Sequence, residues 1–103
     1  MTAQHLQALE LANAVRYDRA AIRRRVRAAG PDGRQLVADL LDDGDGVVAS
    51  MPVLRLLMWP QRMGQKGAVR MLRQVGVVSE LRLVRDLTGR QRRSLAARLR
   101  DAA

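Results

Sequence analysis

Apolar residues recur along the first third of the chain at helical rather than strand spacing. Between about residues 4 and 29 there is no Gly or Pro, and good helix formers dominate. Leu11, Val15, Ile22, Val26 and Ala29 fall on one stripe, at steps of four, seven, four and three. Asp18 interrupts that stripe and is expected to pair with an Arg. Leu6 and Leu9 lie off it, so the first turns are expected to project from the core. Gly30-Pro31 ends the helix, with Gly in the C-terminal capping place. A second, shorter helix is predicted over about 33–42, with Leu36, Val37, Leu40 and Leu41 inward. The acids and glycines of 42–46 suit a solvated turn. A calcium loop would spread its ligands over about twelve residues and end in Glu, whereas this run stops at Val47-Val48.

Ser50-Met51-Pro52 reads as the next helix start, with Ser50 as N-cap and Pro52 in the first turn. That helix, about 53–58, stops at Trp59-Pro60, because the residue before Pro is pushed out of the helical region. Trp59 is expected in the core or at its rim, the other option being a stacking platform for a base. A fourth helix is predicted from residue 64 or 65 to 75, with Ala68, Met71, Leu72 and Val75 as its apolar face and Gly76 as its C-terminal cap. A connection over 77–84, with room for a helical turn, contains Leu81 and Leu83. Thr88-x-x-Gln91 is a capping box that opens the last helix, where Leu95 and Leu99 are buried positions with Ala96 beside them. The pattern as a whole predicts one all-α domain over residues 1–103, a long N-terminal helix followed by a small helical bundle.

Composition narrows the chemistry. A chain of 103 residues buries roughly 60–65% of its unfolded surface, and the material for a core is aliphatic: no Phe, one Trp, one Tyr. Such a set favours helix-on-helix packing over a sheet. With no Cys, disulfides and thiolate metal sites are excluded. His5 is the single His and cannot by itself build a metal cluster or a His-based triad. Neither metal nor cofactor is expected. No apolar run approaches the ~18 residues of a membrane span, and the opening Met-Thr-Ala-Gln-His lacks the order of a signal peptide. A cytoplasmic protein without a membrane partner is the expectation.

Charge changes the picture most. The net +9 is unevenly spread: residues 1–46 hold seven Arg and seven acids, whereas 47–103 hold twelve cations and three acids. The entire excess lies in the second half. Eighteen of the nineteen cations are Arg, whose planar fork suits multidentate contact with phosphate. Near the middle, Gly64 and Gly67 bracket Gln65 and Lys66 at a predicted helix start, flanked by Arg62 and Arg70. A helix opening on Gly offers unpaired backbone N–H groups to an anion. Arg82, Arg85, Arg90, Arg92 and Arg93 follow, and are expected to fold back beside that turn. These residues are the candidate DNA-binding set. Arg16, Arg23 and Arg27 share another face of the first helix, either a second DNA contact or a solvated face paired with local acids.

The order Met51-x-Val53-x-x-Leu56-Leu57, then Gly64-x-x-x-Ala68, then Leu72-x-x-x-Gly76, resembles the actinobacterial integration host factor family. The closing run from Val84 to Leu95 is similar to that family's last segment, and the Arg-rich first helix ending Arg27-Ala-Ala-Gly30 to its first. The likeness covers nearly the whole chain, with about one residue inserted in the 78–83 connection. It implies a non-enzymatic, nucleoid-associated protein with a helix-two-turns-helix motif over about 51–100, akin to ribosomal protein S13. Such proteins bind double-stranded DNA with little sequence preference, bend or compact it, and support phage integration, so an integrase complex is an implied partner. On this likeness the phosphate-binding turn falls on 62–66 and the DNA-contacting arginine segment on 82–85. A monomer is expected. Departures lie at the proposed interface: Arg62 and Asp86 stand where the family has Gly, and Gln65 where it has Lys, with Lys66 one residue later. A diverged or phage-encoded member fits these departures.

The alternative is an RNA- or ribosome-binding protein, although aromatic platforms for unstacked bases are nearly lacking. DNA glycosylase chemistry on a related motif would need a nucleophile, and commonly a Cys zinc finger, that the chain does not offer. A repressor would need a recognition helix or dimerising heptads.

Overall fold

A computed structural model describes residues 2–43 and 46–101. These residues are all-α. Five α-helices run in the order α1 (Ala3–Ala28), α2 (Gly33–Asp43), α3 (Val53–Leu57), α4 (Gln65–Gln74) and α5 (Gly89–Asp101). Short 3-10 turns lie at Gly30–Asp32, Gly46–Val48 and Val84–Asp86. No strand forms among the described residues; one isolated antiparallel bridge pairs Pro52 with Leu83. The 42–46 turn lies partly outside the described residues, at 44 and 45.

The core is a cluster of aliphatic side chains centred on the α2–α5 contact, the most extensive between helices. Val37, Ala38 and Leu41 of α2 meet Leu95, Ala96 and Leu99 of α5, all fully buried. Val53, Leu56 and Leu57 of α3 and Ala68 and Leu72 of α4 complete the cluster, with Trp59 and Pro60 sealing the end of α3. Trp59 is thus core rather than an open stacking platform, as its place before Pro60 suggests. Arg100 staples the end of α5 to α2, donating to Asp39 at 2.9 Å and Asp42 at 2.6 Å. The hydrogen bond to Asp39, and then that to Asp42, raise the Arg100 pKa above its ordinary value. The cation side of this pairing is therefore intact through neutral pH and lost only in strong alkali.

Local signals account for most of the helix ends. Thr88 and Gln91 close the expected capping box, the Gln91 N–H donating to Thr88 Oγ1 and the Thr88 N–H to Gln91 Oε1, both at 3.0 Å. After α4, Gly76 takes φ +86°. The Val77 N–H then reaches the Leu72 carbonyl and the Gly76 N–H that of Arg73, the paired bonds of a Schellman ending. Buried Val77 covers it. Gly33 has a different reason: a Cβ there would stand 2.5 Å from the Val26 carbonyl oxygen, so only Gly lets α2 begin against the end of α1.

Three expectations are corrected. Leu11 is 69% exposed rather than inward, because α1 outruns the core; at 26 residues it is about 39 Å long in a molecule 48 × 29 × 22 Å. Val26 is its one fully buried residue, and Leu6 and Leu9 project as expected. Asp18 makes no ion pair among the described residues; its neighbour Arg19 turns instead to the Val47 carbonyl and the Ser50 hydroxyl. Ser50, its hydroxyl taken by Arg19, does not cap α3. The N-cap is Pro52, with ψ 133° and no side-chain cap, and the Val53 N–H donates to the Arg82 carbonyl across the chain.

Candidate nucleic-acid interface

The short helix α3 organises the basic segments. Five residues give it a length of about 7.5 Å. At its start, residues 82–85 run beside 49–53: the Arg82 carbonyl accepts from Val53, the Val84 N–H donates to Met51, and the Arg85 N–H to Ala49 at 2.8 Å. This ladder fixes the backbone that carries Arg82 and Arg85 and leaves both side chains exposed. At the other end of α3, buried Pro60 anchors a turn closed by the Met63 N–H on the Pro60 carbonyl. Gln61 Nε2 ties that turn to the last residues of α1 through the Arg27 carbonyl at 2.9 Å.

Arg62 then adopts φ +64°, alone among the described non-glycine residues in a left-handed conformation. The turn thus holds a backbone conformation that favours Gly, with an exposed guanidinium mounted on it. Gly64 is the N-cap of α4 and supplies no side chain. Its carbonyl accepts from Ala68, while the N–H groups of Gln65, Lys66 and Gly67 find no acceptor among the described residues. Neither Gly64 nor Gly67 is forced by the fold. A Cβ at Gly64 would meet nothing within 4 Å, and one at Gly67 only Met63 Sδ at 3.6 Å. Their absent side chains leave the helix start open to an approaching anion.

Along α4, Lys66, Arg70 and Arg73 line one shallow face with Gln65 and Gln74. Arg73 was not among the sequence candidates; its spacing of three from Arg70 and seven from Lys66 is the signal that places it on that face. Gln74 accepts from Arg98 of α5 at 2.9 Å, so α5 meets the far end of α4. Of the candidates on α5, Arg90 and Arg93 are exposed, and Arg93 folds back over Gly89. Arg92 is half-buried, with its Nε shielded and without a hydrogen-bond partner, and is less available to a phosphate. Arg82 and Arg85 are held at the start of α3, and the 62–66 turn follows its end. No hydrogen bond joins Arg90 or Arg93 to that turn among the described residues.

Arg16, Arg23 and Arg27 line one groove between α1 and the start and end of α3, together with Arg19 and Arg55, which sequence reading did not group with them. In residues 46–101 the only cation in an ion pair among the described residues is Arg100. The chain matches no protein-family model, no curated protein and no solved structure.

Proposed function

We propose that this is a non-enzymatic architectural protein that grips duplex DNA by its phosphate backbone, with little sequence preference, and bends or compacts it. The observation that carries the reading is the uncompensated charge: the whole +9 lies in residues 47–103, on arginines and one lysine of which Arg100 alone is ion-paired among the described residues. The grip comprises the Arg62 turn, the open N-terminus of α4, the Lys66–Arg70–Arg73 face, and Arg82 and Arg85, with Arg90 and Arg93 at its margin. The likeness to actinobacterial integration host factors, and the helix-two-turns-helix over about 51–100 that it implies, fit this reading. So does the burial of Trp59, only 8% exposed, which leaves no tryptophan platform for a single strand.

Neutralising roughly 6–8 phosphates predicts that log K falls with log salt at a slope of about −5 to −7. Titrating random-sequence duplexes at several salt concentrations measures this, with structured RNA as competitor. Lys66→Glu and Arg85→Glu should each weaken binding uniformly across sequences and flatten the slope by about 1. A slope near zero, or structured RNA displacing duplex at equal concentration, would overturn the reading.

A further inference from the structure

The groove along α1 is basic in a different manner from the DNA grip. It is an open trough of about 940 Å³ with five guanidiniums around it and no carboxylate among its lining residues. Its floor, however, is apolar: half-buried Val15 and Met58, with the outer edges of the core residues Met51 and Trp59 beneath them. Arg19 is tied to Val47 and Ser50 and braces α1 against the chain leading into α3. Arg16, Arg23, Arg27 and Arg55 are in no ion pair among the described residues. A phosphate backbone uses the guanidiniums but gains nothing from the apolar floor, to which Met58 is the main methionine contributor. An acidic amphipathic helix uses both, its carboxylates on the arginine rim and its apolar stripe on a methionine floor that repacks around it.

We propose that this groove docks an acidic amphipathic helix of a partner protein. Dimensions agree: from Leu11 to Arg27 the groove follows α1 for about 24 Å, the length of a helix of about 16 residues. A second copy of this chain is a poor occupant, since its own α1 would bring a further set of arginines against the rim. Leu11, 69% exposed at one end of the trough, extends the apolar floor toward the partner's end. The site is independent of the DNA grip, so the two readings stand or fall separately.

The test uses the full chain and a synthetic acidic peptide of about 16 residues, with Leu at helical spacing, Glu elsewhere and no aromatic residue. Its control is a scrambled peptide of the same composition. The protein has one Trp, so Trp59 emission reports occupancy of the floor. The expected result is a saturable shift of that emission, with the scrambled peptide bound at least about tenfold more weakly. Arg16→Gln, Arg23→Gln and Arg27→Gln together should weaken the ordered peptide by about tenfold or more at unchanged helicity, since these side chains hold no partner among the described residues. Met58→Gln leaves the charge alone and should weaken the ordered peptide several-fold but not the scrambled one. Equal affinity for both peptides would reduce the groove to a charge sink and overturn the proposal. Displacement of the ordered peptide by duplex DNA, with the triple variant losing the same factor of duplex affinity, would overturn it in favour of a second DNA face.

Discussion

Arg62 occupies a backbone region that costs a side-chain-bearing residue roughly 1–2 kcal/mol. Nothing in its surroundings compensates, as the side chain is exposed and unpaired among the described residues. Arg62→Gly should therefore stabilise the fold, by about 0.5–1 kcal/mol after allowing for the greater freedom of Gly in the unfolded chain. The same change removes one cation from the DNA grip and should flatten the salt slope by about 0.9. Urea unfolding and duplex titration on one variant measure the two effects, and opposite signs are the expected outcome. At this scale the sequence was half legible. Residue order marks Arg62 only as a cation of the turn, and the backbone angle alone shows it holding a conformation that favours Gly. Arg92 was legible but unread: it stands three, four and seven positions before buried Leu95, Ala96 and Leu99, on the inward stripe of α5.

Helix ends divide by how far their partners lie along the chain. The Thr88–Gln91 box and the Gly76 ending are closed by residues within five positions, so they were readable from order alone. Ser50 was misread because its competitor, Arg19, lies 31 residues away. The same holds for α3, whose first N–H is satisfied by the carbonyl of Arg82 rather than by a local cap. Thr88→Ala should cost about 1 kcal/mol, a fall in melting temperature of about 4–8 °C for a domain of this size. Ser50→Ala should leave the start of α3 intact and instead loosen α1. Amide exchange on the two variants distinguishes an unlatched α5 from a loosened α1. Leu95, fully buried between α2 and α5, sets the upper end of the scale, with about 2–5 kcal/mol expected on truncation to Ala.

For the whole molecule, the partition of charge was legible because net charge sums without knowledge of the fold. The all-α architecture was legible because periodicity and caps agreed. The groove was not, since it joins α1 to residues at least 23 positions further on and exists only once α1 lies across α3. Two basic surfaces of unlike character result, one with an open helix start and one with an apolar floor.

The overhang of α1 carries a further consequence. Residues 3–10 are exposed throughout and line neither basic surface, so among the described residues those first two turns are held by the helix behind them and by the Thr2 cap on the His5 N–H. Their helix–coil equilibrium is close to that of an isolated peptide, which is marginal in water at this length. The chain should then lack a single cooperative transition. Amides of 6–10 should exchange with protection orders of magnitude below that of 37–41 and 95–99, and far-UV ellipticity should begin to fall on warming before the Trp59 signal moves. Coincident melting of the two signals, or equal protection, would show the overhang to be anchored.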